Sequence, residues 1–151
     1  MKPSFNVREQ SAVYIGPVDD LLSGALPEGR VVVVSDTTVA RVYGALLAPY
    51  ECVLIGTGER IKTLRTVETI CRRFIELGVD RRTFILGVGG GIVTDVAGFA
   101  ASTYMRGLRF GSGTRRIKYD GSKTFQFRGI QRIFKQVFDG CFNIGNHILI
   151  D

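Results

Sequence analysis

The sequence predicts an α/β fold, with an open, mostly parallel sheet and helices on both of its faces. Short runs of β-branched residues alternate with longer segments of helical periodicity over the first 103 residues. The run Val31–Val34 has no polar alternation, which is typical of a strand covered by helices on both sides. A glycine cluster, Gly87 to Gly91, follows a third apolar run and precedes a helical pattern. Such an order of elements places binding sites at the carboxyl ends of the strands.

The predicted strands are short and apolar: Ala12–Ile15, Val31–Val34, Cys52–Ile55 and Phe84–Val88. The first helix begins at a cap formed by Thr37 or Thr38 and is stopped by Pro49. The other two helices have apolar residues at spacings of three and four, and they cover Ile61–Leu77, which Gly78 ends, and Ile92 to about Met105.

The periodic pattern dissolves after Phe110. No clear period of 2 or 3.6 is visible until Asn146–Ile150, which is strand-like again. We therefore expect residues 1–110 to form one α/β domain, and residues 111–151 to form either a divergent tail or the end of the same domain.

Composition and charge exclude several classes of protein. Hydrophobic residues make up 45% and charged residues 23%, as in globular domains. Residues 1–110 carry 13 Lys and Arg against 11 Asp and Glu, so most of the net charge of +6 lies in the remaining residues and does not predict a nucleic-acid partner. No run approaches the ~20 apolar residues that cross a bilayer, and the N-terminus lacks the apolar run of a signal peptide, so we expect a soluble, cytoplasmic protein without a membrane partner.

Cysteine and histidine usage argues against a disulfide framework and against a multi-histidine metal site within this chain. The three cysteines form no C-x-x-C pair, and His147 is the single histidine.

The glycine cluster is the most informative local feature. Gly89, Gly90 and Gly91 let the backbone approach a phosphate at a helix N-terminus, where amides and the helix dipole favour negative charge. The strict dinucleotide fingerprint fails, because Ile92 stands where its third glycine is required. A tight turn without a ligand therefore remains an alternative. Asp95 is either a site residue or a favourable charge near a helix N-terminus.

Four further side chains have both a functional and a structural interpretation. Asp36 closes a predicted strand, where its carboxylate either accepts hydrogen bonds from a ribose or caps the next helix. Glu59 and Lys62 flank a strand-to-helix junction, where such a pair is usually solvated surface. Arg106 ends the glycine helix and either holds a phosphate or complements the helix C-terminus.

The segment Gly89–Gly107 reads GGGIVTDVAGFAASTYMRG and closely resembles the signature of the 3-dehydroquinate synthase family. Ser35–Val39 and Gly58–Leu64 fall in the order and spacing of that family's two earlier nucleotide-contact segments. The resemblance covers residues 11–110, which correspond to the Rossmann-like NAD-binding domain of the family. Thr94 stands where the family usually has glycine.

The resemblance implies a cofactor and a reaction. NAD lies along this domain in the family, while a C-terminal helical domain, which we expect to be absent from this chain, supplies a divalent metal (zinc or cobalt). The family converts a small sugar phosphate, 3-deoxy-arabino-heptulosonate 7-phosphate, to 3-dehydroquinate in the shikimate pathway. The steps are transient oxidation, phosphate elimination, reduction and ring closure.

The resemblance also implies roles for individual residues. Those of the cofactor site are Asp36 at the adenosine ribose, Glu59 and Lys62 at the nucleotide, Gly89, Gly90 and Gly91 in the turn that receives the pyrophosphate, and Asp95 near the nicotinamide end. Arg106 is the catalytic residue that reaches the substrate phosphate, and the resemblance allows it to do so across a homodimer interface.

The residues after Phe110 depart from the family. Its next NAD-binding and catalytic segments are not recognisable, and Lys123 is too far out of place to take a family role. Phe142–Asp151 resembles the family's F-x-x-P, strand and Asp at about the family's distance from Phe110, with Gly145 in place of the proline. A reading-frame slip, plain divergence and an artificial sequence remain open.

Three functional classes follow. The first is the NAD-binding domain of a 3-dehydroquinate synthase-like lyase, which the long signature ending in Arg106 favours. The second is part of a related sugar-phosphate cyclase or iron-type alcohol dehydrogenase, and the third is a non-catalytic nucleotide-binding remnant. For the first class we expect the isolated chain to be inactive.

Overall fold

The computed structural model describes the backbone of residues 5–8, 11–16, 22, 24, 26–117 and 123–130, and the side chains of residues 22, 24 and 26–113. Its strands are β1 (Phe5–Arg8), β2 (Ser11–Gly16), β3 (Val31–Asp36), β4 (Glu51–Ile55), β5 (Phe84–Val88), β6 (Arg109–Ile117) and β7 (Lys123–Ile130). Its helices are α1 (Thr37–Leu47), α2 (Leu64–Glu76) and α3 (Gly91–Thr103), with short 3-10 helices at Glu59–Ile61 and Tyr104–Arg106.

The strands form one sheet in the order β1-β2-β7-β6-β5-β3-β4. Strands β4, β3, β5 and β6 are parallel to one another. Beyond β6, the strands β7, β2 and β1 continue the sheet in antiparallel pairs. The α/β fold class is therefore confirmed, with a four-stranded parallel block at its centre.

The valine run of β3 packs against helices on both faces of the sheet. Val32 and Val34 belong to a buried cluster with residues of α2 and α3, among them Phe74 and Ala97. Val33 belongs to a second cluster that contains Leu47 of α1. All three valines are fully buried, and this explains why the run contains no polar residue.

All three helices differ in their starts from the prediction, and α3, predicted from Ile92 to about Met105, covers Gly91–Thr103. Asp36, rather than Thr37 or Thr38, caps α1, because its Oδ1 accepts from the amides of Thr38 and Val39, both at 2.8 Å. Helix α2 begins at Leu64 instead of Ile61, since the 3-10 turn intervenes and the Thr63 hydroxyl accepts from the Thr66 amide as the cap.

Helix α2 ends as predicted, at Gly78. The glycine has a φ of +63°; its amide donates to Ile75 O at 2.9 Å and the next amide, of Val79, donates to Phe74 O at 2.8 Å. These two bonds form a Schellman cap, which requires the left-handed residue. The buried apolar face of α2 is shorter than predicted, because Leu64 and Ile75 near its two ends are 75% and 68% exposed.

The region after Phe110 contains two strands that the periodicity did not predict. β6 pairs with β5 through Phe84 to Val88, and β7 pairs with both β6 and β2. The strand predicted at Ala12–Ile15 is observed as β2. Asn146–Ile150 and His147 lie outside the described residues.

Candidate functional site

The strand order of the sheet switches direction between β3 and β5, and in α/β sheets a crevice forms at such a point, outside the carboxyl ends of the strands. After β3 the chain turns into α1, which packs on one face of the sheet, and after β5 it turns into α3, which packs on the other. Ser35 lies beside Val88 in the register of the two strands, and its buried hydroxyl donates to Val88 O at 2.7 Å. Because the two connections leave in opposite directions, this is the point where α/β sheets bind ligands.

The glycine turn forms one wall of the crevice, and its three glycines differ in what they do. A Cβ on Gly89 would lie 2.7 Å from Cγ2 and 2.8 Å from Cβ of Val93, so packing alone requires glycine there. A Cβ on Gly90 or on Gly91 would meet nothing within 4 Å. Gly90 has a φ of −74°, and the φ of Gly91 is not positive either. Their small size leaves open space that the fold itself does not use.

The first turn of α3 faces this space without a side-chain cap. Gly90 is the N-cap residue and forms no side-chain cap bond. Thr94 donates its amide to Gly90 O at 3.1 Å and its hydroxyl to Gly91 O at 2.9 Å. The amides that precede Thr94 in the turn have no intrahelical acceptor, and the helix dipole adds a partial positive charge. This geometry can hold a phosphate group.

Asp36 lies across the crevice at the end of β3. Its Oδ1 accepts both cap bonds of α1. Within the part of the chain that the structure describes, Oδ2 accepts no hydrogen bond. The carboxylate therefore serves as the predicted helix cap and still has an oxygen available for a hydroxyl group of a ligand. The structural and the functional interpretations of Asp36 are compatible.

Lys62 and Asp95 form an ion pair at the edge of the site. The Nζ and Oδ2 atoms are 2.8 Å apart, and the two side chains are 51% and 56% exposed. The hydrogen bond and charge of Asp95, with a smaller contribution from the charge of Glu59, raise the pKa of Lys62 above its ordinary value. Sequence reasoning singled out all three residues, but it did not predict that Lys62 and Asp95 pair.

Arg106 does not lie with the other predicted residues. Helix α3 has 13 residues and starts at the glycine turn, so its far end lies about 20 Å away, near the amino ends of the parallel strands. There the Tyr104 hydroxyl donates to Val79 O at 3.4 Å. Met105 and Arg106 have φ values of 50° and 69°, a conformation that non-glycine residues rarely adopt and that often marks functional segments.

Two residues contribute to the site although the sequence analysis assigned no role to either of them. The buried Ser35 hydroxyl ties the two strands at the crevice, and Gly113 O of β6 accepts the Gly89 amide at 3.0 Å, which anchors the glycine turn. Ser35 directly precedes Asp36 at a predicted strand end, which is a usable signal. Gly113 lies where the sequence shows no periodicity and offered none.

The described residues show neither a cluster of metal ligands nor a membrane-spanning helix. They contain no group of three His, Cys, Asp or Glu side chains that could hold a metal ion. No helix among them is long and apolar enough to cross a membrane.

Comparisons with known proteins agree with this geometry. Residues 52–114 match the family model described as 3-dehydroquinate synthase N-terminal. A 3-dehydroquinate synthase from Pelotomaculum thermopropionicum is 44% identical over 111 residues, which cover 65% of this chain and 30% of that protein. One from Thermococcus kodakarensis is 41% identical over 148 residues, covering 89% of this chain and 41% of that protein.

A solved structure is similar as well. The 2-epi-5-epi-valiolone synthase from Streptomyces hygroscopicus subsp. jinggangensis, solved with NAD+ and Zn2+ bound, has a TM-score of 0.52 and 36% identity, covering 59% of this chain and 27% of that one. This chain thus spans less than half the length of each of these relatives. The similarity to proteins named 3-dehydroquinate synthase is thus to the N-terminal part of these proteins, and the family model matches residues 52–114 of this chain.

Proposed function

We propose that this chain is the NAD-binding part of a 3-dehydroquinate synthase-like enzyme. One observation carries the proposal: at Gly90 and Gly91 the chain leaves open space beside an uncapped helix N-terminus, at the crevice between β3 and β5. Neither packing nor backbone conformation requires glycine at these two positions. A ligand phosphate that approaches the backbone closely does explain both of them.

The residues around the crevice fit a dinucleotide. The amides at Gly90 and Gly91 would hold the pyrophosphate, and the Oδ2 atom of Asp36 would accept from the adenosine ribose. Glu59 and Lys62 would contact the nucleotide, and Asp95 would lie toward the nicotinamide. When bound, NAD supplies a hydride acceptor and donor. The chain's own contribution is to bind and orient that cofactor.

The substrate and the complete reaction belong to the whole enzyme. We infer a cytoplasmic enzyme that converts 3-deoxy-arabino-heptulosonate 7-phosphate to 3-dehydroquinate. The described residues contain no three-ligand metal group, so no step on a metal is assigned to them, and we expect the isolated chain to be inactive. A related sugar-phosphate cyclase is the second candidate, favoured by the similarity to the valiolone synthase.

Arg106 is the part of the proposal that needs a second copy of the chain. Its position at the far end of α3, about 20 Å from the glycine turn, keeps it out of its own crevice. We propose that it serves the substrate phosphate of a partner's site in a homodimer. Sedimentation analysis tests this: a dimer that dissociates when Met105 and Arg106 are both replaced by glycine supports the arrangement, and a strictly monomeric whole enzyme contradicts it.

Calorimetry of the purified chain tests the cofactor. We expect weak NAD binding, because the glycine turn is present while later family segments are altered. Gly90→Leu should abolish that binding. Gly44→Leu is the matched control, since Gly44 is an exposed helical glycine whose Cβ would also meet nothing within 4 Å. Absence of NAD binding, or equal affinity in the Gly90→Leu variant, would contradict the proposed function.

A further inference from the structure

The Lys62–Asp95 ion pair joins two segments that border the crevice from different elements. Lys62 directly follows the 3-10 turn Glu59–Ile61, and its amide donates to Glu59 O at 3.0 Å. Asp95 lies in α3, four residues after Gly91. The Nζ to Oδ2 distance of 2.8 Å connects the two side chains directly. The turn is held in place because Ile61 packs against the core cluster that includes α2 and α3.

The negative charge of Asp95 disfavours anion binding at the start of α3, and the ion pair with Lys62 offsets this effect. Its position is about 6 Å along the helix axis from Gly91, so its carboxylate lies close to the amides that attract a phosphate. A negative charge there competes with a second anion for the same dipole. Lys62 supplies the compensating charge. Among the described residues, the carboxylates that act on Lys62 are those of Asp95 and, more weakly, Glu59.

We propose that Lys62 is a positioning residue that neutralises Asp95 and so keeps the first turn of α3 receptive to a pyrophosphate. The inference rests on the proposed function, because it concerns the same crevice. It refines the nucleotide contact proposed above for Lys62, because toward the pyrophosphate the lysine acts through Asp95 and does not itself bind a phosphate. In the structure the Nζ atom is directed at Asp95, and about half of each side chain remains exposed.

A double-mutant cycle with ADP and adenosine as probes separates these roles. ADP carries the diphosphate but lacks the nicotinamide half, so any contact of Asp95 with nicotinamide does not enter. We expect Lys62→Met to weaken ADP binding about tenfold and Asp95→Asn to change it by less than about threefold. The double variant should return to within about threefold of the wild-type affinity. Adenosine affinity should stay the same in all of them, because adenosine carries no charge.

Arg60→Met is the matched control. Arg60 is an exposed cation in the same turn, and no ion pair joins it to another described residue. Replacing Arg60 removes one positive charge but keeps the Lys62–Asp95 ion pair, so ADP affinity should fall by less than about twofold. Thermal denaturation of each variant should give melting temperatures close to wild type, since both side chains of the ion pair are half exposed.

Each other outcome contradicts a specific statement. If the double variant binds ADP as weakly as Lys62→Met does, Lys62 touches the phosphate itself and the inference is wrong. An equal loss of adenosine affinity would mean that the pair only maintains the structure, which also overturns it. If the wild-type chain binds neither NAD nor ADP, the proposed function fails, and the inference fails with it.

Discussion

Alanine substitutions at Gly89 and Gly91 should have opposite effects on stability. At Gly89 the new Cβ would lie 2.7 Å from Val93 Cγ2, about 1 Å closer than carbon atoms normally approach. Val93 is 2% exposed and β-branched, so it cannot rotate away within the helix. Overpacking of this kind lowers the free energy of unfolding by about 1–3 kcal/mol.

Gly91→Ala should instead stabilise the chain. The added Cβ meets nothing within 4 Å, and alanine restricts the unfolded chain, which raises the free energy of unfolding by about 0.4–1 kcal/mol. For a chain of this size the melting temperature should rise by about 1–4 °C. NAD affinity should nevertheless fall at least about tenfold, because the Cβ occupies the space offered to the pyrophosphate.

Denaturation and calorimetry on the same two variants measure both quantities. A Gly91→Ala variant with a higher melting temperature and unchanged NAD affinity would contradict the expectation, because the glycines would then only shape a turn. A Gly89→Ala variant as stable as wild type would contradict it as well, since the close approach of the new Cβ to Val93 would then not destabilise the fold.

Three other outcomes are expected. Gly78→Ala should lower the free energy of unfolding by about 1–2 kcal/mol in denaturant titrations, because alanine must adopt the φ of +63°. Hydrogen bonds to the Asp80 carboxylate from Thr83 and from the Arg82 amide lower the pKa of Asp80 below its ordinary value. The stabilisation by the ionised carboxylate is therefore complete above pH ~4 and is lost as the pH falls through the lowered pKa. The difference in stability between wild type and Asp80→Ala should shrink in acid, while Asp80→Asn, which keeps an acceptor oxygen, should stay closer to wild type. The purified chain with NAD, zinc or cobalt and the heptulosonate phosphate should release no phosphate above background, and metal-dependent release that disappears in Arg106→Ala would contradict this.

The strands and helices with strong local patterns could be predicted from the sequence. The valine run of β3 and the Gly78 stop of α2 follow from burial on two faces and from a required positive φ. For the cap of α1 the sequence suggested Thr37 or Thr38 and gave capping as one of two roles for Asp36; the structure shows that Asp36 is the cap. Leu64 and Ile75 fit the spacing of α2, but they are exposed, and no element in the described part of the chain covers them.

β6 could not be predicted because its inward positions include glycines. Gly111 and Gly113 are buried yet contribute no side chain to a hydrophobic period, and the strand is defined by its pairing with β5, which is a long-range contact. The same limit applies to the site. The glycine turn and Asp36 are local features of strand ends, whereas the Lys62–Asp95 pair depends on how separate elements pack.

The reading-frame question has a direct experimental answer. Sequencing the DNA across codons 108–145 decides between a frame slip and divergence. A frame slip predicts that a one-base shift restores the family's segments after Phe110 and that the second domain follows in the restored frame. An uninterrupted frame without those segments would favour divergence or an artificial sequence.

A backbone amide NMR titration of the whole chain with NAD measures directly whether the cofactor binds at the crevice between β3 and β5. We expect saturable shifts of the amides at Asp36–Thr38, Gly58–Lys62 and Gly89–Thr94, while Arg106 and the amino ends of the parallel strands are unaffected. No shifts at any NAD concentration, or shifts centred on Arg106 instead of the glycine turn, would contradict NAD binding at the crevice.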